Sequence, residues 1–98
     1  MKNLWFKNEF VLPILDGHKS HTIRKSDARL PKVGEIVSFS VGPRPPFAKA
    51  RVLKVRMVKL SELEPAQRTA VLRCYKNTTD LVRVEFTLIN EDLFLCQK

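Results

Sequence analysis

From Ala48 to Leu60 the chain alternates in hydrophobicity for longer than anywhere else, and the alternation changes phase partway. Ala48, Ala50 and Val52 form the apolar set at first; beyond them it becomes Leu53, Val55 and Met57, with Lys54 and Arg56 on the other parity. Successive side chains of a strand point to opposite faces, so a strand serving one core throughout must absorb one extra residue near Val52 and Leu53. A β-bulge, or a bend in which the strand switches faces, does this, and small barrels require such a device.

The remaining segments fit around that strand. Leu4, Trp5 and Phe6 predict a first strand over Asn3 to Phe6 that carries Trp5 into or beside the core. Phe10, Val11, Ile14 and Leu15 recur at helical spacing, kept short by Pro13 and stopped by Gly17. Ser20 to Lys25 reads as extended, and Lys32-Val33-Gly34-Glu35 as a turn before a strand over Ile36 to Val41. Gly42-Pro43-Arg44-Pro45-Pro46 is a stiff loop with Arg44 at its tip. Ser61 to Tyr75 predicts the one long helix, begun at Pro65, with Leu63, Ala66, Ala70, Val71 and Cys74 on its inner stripe and Gln67, Arg68 and Arg73 outside. Leu81 to Ile89 alternates as a strand with Val82, Val84, Phe86 and Leu88 inward, and Leu93 to Cys96 is an apolar piece that can close the sheet. The expected fold is α+β: a small, mostly antiparallel β-barrel with one short and one longer helix, forming a single domain over residues 1–98.

Charge narrows the partners. Eighteen Lys and Arg against ten Asp and Glu give a net charge of +8, which favours a phosphate-bearing or polyanionic partner, RNA foremost. Aromatic residues make up only 8%, and Trp5 and Tyr75 sit in apolar patterns that suggest core packing and not a stacking platform. No apolar run approaches the roughly 20 residues that span a bilayer, and Lys2, Lys7 and Glu9 stand where a signal peptide is apolar, so a cytoplasmic monomer with no membrane partner is expected. Cys74 and Cys96 lack metal or disulfide spacing and are expected to be reduced and buried.

The stretch Asp16 to Arg24, DGHKSHTIR, concentrates the polar chemistry. If it is extended from Ser20, then Ser20, Thr22 and Arg24 share one face and His21 and Ile23 the other, while Lys19 lies in the irregular turn leaving Gly17. His18 and His21 form an HxxH pair that points to opposite sides with no third ligand nearby, so no metal is expected. The plain structural roles are a β-branched strand residue for Thr22, a solvated turn residue for Lys19, and an ion-pair partner of Asp16 or Asp27 for Arg24. No GxSxG, HExxH, phosphate-loop or dinucleotide pattern is present, which removes serine hydrolase, zinc peptidase and nucleoside-triphosphate readings.

The order of a short apolar helix, G-x-K-x-x-T-x-R (Gly17, Lys19, Thr22, Arg24), a K-x-G-E turn (Lys32, Gly34, Glu35) and a long strand running into L-S-E-L (Leu60 to Leu63) resembles the ASCH domain of the PUA-like superfamily. Threonine in the fourth slot resembles the small bacterial N(4)-acetylcytidine amidohydrolases. The resemblance covers nearly the whole chain and implies a β-barrel with a cleft beside the motif, a modified nucleoside or base, or RNA, as ligand, and no cofactor or metal. It implies a lysine, a threonine and a glutamate as machinery: Lys19, Thr22, and Glu64 first or Glu62 second. Arg24, His21, Ser20 and Arg44 are the candidate substrate-binding residues.

Hydrolysis of an acylated exocyclic amine needs a nucleophile, a proton acceptor, an oxyanion stabiliser and an acid for the leaving nitrogen. Thr22 can attack if a neutral Lys19 takes its proton; alternatively the carboxylate activates water while Thr22 and Lys19 polarise the carbonyl. Ser61-x-x-Glu64 is also a capping pattern ahead of a helix, a purely structural use of Glu64. Against the enzyme stands a non-catalytic RNA-binding module using Arg44 and the basic strand Lys49, Arg51, Lys54 and Arg56. A ribonuclease ranks below both, since no histidine pair is placed for it.

Overall fold

The computed structural model describes residues 1–27, 29–75 and 80–89. Its strands are β1 (Lys2–Trp5), β2 (His21–Lys25), β3 (Ile36–Ser40), β4 (Ala48–Val58) and β5 (Leu81–Leu88); its helices are α1 (Val11–Leu15) and α2 (Pro65–Cys74). Single 3-10 turns at Asn8–Phe10 and Leu60–Glu62 lead into the two helices. The strands form one sheet in the order β1-β3-β4-β5-β2, with β1 parallel to β3 and the other neighbours antiparallel. It is a curled half-barrel with two helices, an α+β fold.

The phase change in β4 is a bulge. Pairing with β5 is regular up to Val52↔Phe86 and resumes at Lys54↔Glu85, so Leu53 is the extra residue. Before the bulge Ala50 and Val52 are buried; of the second apolar set only Val55 turns inward, half-buried opposite Val84, while Leu53, the extra residue of the bulge, and Met57 are exposed, contrary to the alternation. Val52 is also gripped from the other side, donating its N–H to the Glu35 carbonyl and accepting from Gly34 N–H. Gly34, at φ +89°, makes that turn in the left-handed region that favours glycine.

Inside the curl, Leu4, Phe6, Ile14, Val37, Phe39, Ala50, Val52, Val82, Val84 and Phe86 form the main core. A second cluster, Val58, Leu63, Val71 and Leu81, packs with Ile23, Leu60 and Tyr75 and seats α2. Here the sequence expectations need correction. Trp5 is 58% exposed, because Leu4 and Phe6 take the inward parity of β1. Of the stripe expected on α2, only Val71 is buried within the helix; Ala66, Ala70 and Cys74 are exposed, and Leu63 is buried but lies ahead of the helix. Gln67 turns towards the sheet instead of outward. Cys96 and the closing segment Leu93 to Cys96 lie outside the described residues. No described helix is long and apolar enough to cross a membrane.

Candidate functional site

Helix α1 sets the position of Lys19. Gly17, at φ +87°, takes the left-handed turn after the helix, its N–H meeting the Ile14 carbonyl, and Lys19 N–H returns to the Pro13 carbonyl at 2.9 Å. The lysine side chain then lies over the Phe10 ring, Nζ 4.9 Å from its centroid. Burial lowers the Lys19 pKa below the ordinary lysine value, and the positive charges of Arg24 and Arg83 lower it further.

Strand β2 presents Thr22 and Arg24 on one face, as its alternation requires. Thr22 is buried and aligned with Val84 of β5. Its hydroxyl oxygen accepts from Arg24 Nε at 3.2 Å, which leaves the hydroxyl proton available to a base. Arg24 also donates from Nη2 to the Trp5 carbonyl at 2.6 Å and stacks 4.7 Å above the Phe6 ring. Since β1 and β2 are the two edges of the sheet, this side chain joins them and holds the half-barrel together where no strand ladder does.

His21 points to the opposite face and meets Gln67 of α2 through Nε2. Burial lowers its pKa, as do Arg83 and Lys19, against weaker opposition from Glu85 and Glu64. Glu64 is the N-cap of α2, and its N–H donates to Gln67 Oε1 at 3.3 Å. Glu62 accepts the Lys59 N–H at 2.9 Å and lies 3.8 Å from Arg56. Among the described residues no contact joins either carboxylate to Lys19 or Thr22; Glu64 acts electrostatically on His21. Ser20 is exposed, its carbonyl accepting from Phe86 N–H, and Arg44 is exposed at its loop tip with its N–H on Val41. Thr22 is thus bonded to Arg24 and Lys19 feels the Arg24 charge; among the described residues no contact joins Lys19 to Thr22 directly, and none joins Arg44 to any of the three.

Two residues escaped the sequence reading. Arg83 reads as an outward strand residue, yet its Nε is buried without a hydrogen-bond acceptor, 3.7 Å from Glu85 Oε2, and its charge reaches both Lys19 and His21. Gln67 reads as solvated, but it is the polar link between α2 and β2. The signal for both is the β2–β5 register, which sets Glu85 opposite His21 and Arg83 opposite Ile23. His18 bonds Asp16 at 2.8 Å, away from His21, and no three His, Cys, Asp or Glu residues cluster as a metal site among the described residues.

The His21–Gln67 contact carries a pH prediction. With Gln67 Oε1 occupied by the Glu64 N–H, the amide nitrogen faces His21, which must accept through a neutral Nε2. A folded pKa below the unfolded value means that the unfolded chain binds more protons in this window. The contribution to stability is therefore full above about pH 6.5 and is lost as pH falls through the lowered folded pKa. Urea midpoints should drop from pH 7.5 to pH 5 more steeply for the wild type than for His21→Gln; parallel profiles would contradict the arrangement.

No family model matches the chain, and no curated protein matches it in sequence. Solved structures do. An ASCH domain from Lactobacillus crispatus JV V101 is 14% identical, with a TM-score of 0.68 over 89% of this chain and 78% of its own. The ASCH protein from Zymomonas mobilis is 17% identical, with a TM-score of 0.62 over 93% and 72%. A Pyrococcus furiosus protein solved by NMR is 20% identical, with a TM-score of 0.64 over 91% and 97%. At these identities the likeness is one of fold: the chain has the fold of the ASCH domains.

Proposed function

We propose that this protein is a metal-independent amidohydrolase that removes acetyl or related acyl groups from the exocyclic N4 of cytidine or cytosine derivatives. What supports the reading is that Arg24 bears on both groups: its Nε donates to the buried Thr22 hydroxyl, and its charge, after burial, lowers the Lys19 pKa. A neutral Lys19 amine takes the Thr22 proton as Oγ1 adds to the acyl carbon, and the charge of Arg24 offsets the oxyanion that develops. When the tetrahedral adduct collapses, the lysine ammonium returns its proton to the departing N4, releasing cytidine and leaving an acyl-threonine. Water, deprotonated by the again neutral lysine, then frees the acid. A route in which a carboxylate activates water has less support, since the charges acting on Lys19 are Arg24 and Arg83.

The test is incubation with N(4)-acetylcytidine, following cytidine release. Thr22→Ser is expected to keep measurable turnover and Thr22→Ala to lose it. No release by the wild type, or equal release by Thr22→Ala, would remove the reading.

A second reading, a non-catalytic RNA-binding module, is favoured by the exposure of Lys49, Arg51, Lys54 and Arg56 along β4. Arg51 Nη1 is engaged with the Gly34 carbonyl at 3.1 Å and Arg56 with Glu62, so Lys49 and Lys54 would dominate that surface. Its mark is RNA affinity that falls steeply with salt and weakens when both lysines become alanine.

A further inference from the structure

Beyond its bulge, β4 has a bare edge. Strand β3 covers β4 from Ala48 to Arg51, and the turn at Gly34 and Glu35 adds one more step at Val52. Among the described residues nothing pairs with that side of β4 from Leu53 to Val58. Backbone groups in an antiparallel ladder point alternately to the two sides. Phe86 N–H meets Ser20 and Ile89 N–H meets Lys49, so the odd-numbered residues of β5 turn their backbone groups to β4. Glu85, Arg83 and Leu81 are thus the bonded partners of Lys54, Arg56 and Val58, and the N–H and C=O of Val55 and Met57 turn to the open side. Around them stand apolar side chains that the core does not use: Leu53 is 53% exposed, Met57 58%, and Val33, beside the Gly34 turn, 62%. The other face carries Lys54 and Arg56, and the whole run from Arg51 to Lys59 has no carboxylate. The acids nearby are already shared: Glu62 lies 3.8 Å from Arg56, and Glu85, opposite Lys54, lies 3.7 Å from Arg83.

We infer that this edge receives an extended segment of an acidic partner protein, added to the sheet as a strand beside β4. Strand addition takes its affinity from backbone hydrogen bonds and its selectivity from alternate side chains. The guest bonds to Val55 and Met57, sets apolar residues beside Leu53 and Met57, and sets carboxylates beside Lys54 and Arg56. A segment of alternating apolar and acidic residues has that form. Charge and pattern speak against a second copy as the occupant. An antiparallel copy centred on Val55 places Lys54 opposite Arg56 of its twin, and one centred on Arg56 places that residue opposite itself; like charges directly opposite destabilise a strand pair. Centring on Met57 instead sets Lys59 against Val55 and spoils the apolar match. Lysine on a sheet edge commonly guards it against such pairing, and here the same charge selects an acidic guest. None of Lys19, Thr22 and Arg24 is involved, so this surface stands apart from the amidohydrolase reading.

The probe is a short capped peptide alternating valine and glutamate, labelled with fluorescein and titrated with the whole protein at low salt, following anisotropy. Saturable binding is expected, at least about tenfold tighter than that of the matching valine–lysine peptide. Methylating the backbone nitrogens of the peptide keeps its charge and removes its strand donors, and should weaken binding about tenfold. Met57→Pro removes one outward N–H without touching the bonds to β5, a change that strand edges tolerate, and Lys54→Glu reverses a charge. Each should cost about tenfold in affinity, with circular dichroism confirming the fold. Amide exchange at Val55 and Met57 should slow when the peptide is bound. Absence of saturable binding or equal affinity for the two peptides overturns the assignment. So does indifference to the backbone methyl groups, which marks a merely basic surface of the kind RNA would use. A protein that sediments alone as a dimer, and as a monomer after Met57→Pro, gives the edge to a second copy instead. Where Met57→Pro does not fold, Lys54→Glu and the methylated peptide decide.

Discussion

Replacing Lys19 by alanine is expected to lower kcat for N(4)-acetylcytidine by about two to four orders of magnitude, the usual worth of a positioned general base. Lys19→Arg is the sharper variant. It keeps the positive charge and much of the contact with Phe10, but a guanidinium cannot be deprotonated and so cannot take the Thr22 proton. If Lys19 serves as base, arginine fails as completely as alanine; if it serves only as a fixed charge, arginine retains much of the rate. The pH profile adds an independent check. Activity should rise with pH as the amine loses its proton and level off below the roughly 10.4 of an ordinary lysine, because burial, Arg24 and Arg83 all favour the neutral form. Arg83→Gln removes one of those charges from outside the reacting groups, so its profile should shift towards higher pH with the plateau retained. An unshifted profile, or a Lys19→Arg enzyme with substantial turnover, would exclude the base role.

The legible parts of this chain were those governed by local pattern. The bulge in β4 was written in the change of apolar parity at Val52 and Leu53, and the shared face of Thr22 and Arg24 in the two-residue period of a strand. Gly17 announced the turn that sets Lys19. The misreadings arose where pattern cannot tell which of two apolar neighbours turns inward. Leu4-Trp5-Phe6 offers three candidates for two inward places, and the parallel pairing of β1 with β3, a long-range choice, gives them to Leu4 and Phe6. Helix α2 has a weak apolar face, so its small residues suited the core and solvent equally; the choice fell to the polar contact of Gln67 with His21, which only the juxtaposition of β2 and α2 creates. The same limit applies to the glutamate. Glu64 fits both a helix cap and a catalytic carboxylate by position in the chain, and it takes the N-cap position of α2 with its N–H on Gln67.

Phe39→Ala is expected to be the most damaging single truncation in the main core. The ring has no solvent exposure and meets Phe6 and Phe86 edge-on, with centroids 4.8 and 4.7 Å away, and Phe47 at 6.3 Å. Truncation of a buried phenylalanine costs about 3–5 kcal/mol, against a total stability of about 5–15 kcal/mol for a domain of this size. The urea midpoint should fall by about 2–3 M, and at the lower end of that stability range the variant is unfolded without denaturant. Phe39→Leu keeps most of the volume and should fall by less than half as much. The consequence for the site runs through Phe6, which is the shared piece: Phe39 packs on one part of its ring, and the Arg24 guanidinium lies 4.7 Å from its centroid. When Phe6 is free to move, Arg24 loses the surface that aligns it with both Thr22 and the Trp5 carbonyl, and a side chain that joins β1 to β2 is loosened. Phe39→Leu, though folded, should therefore lose turnover out of proportion to its stability, with the loss in kcat exceeding any change in KM. Full wild-type turnover in that variant would mean that Arg24 is held by its two hydrogen bonds alone, and that the aromatic cluster serves the fold without serving the site.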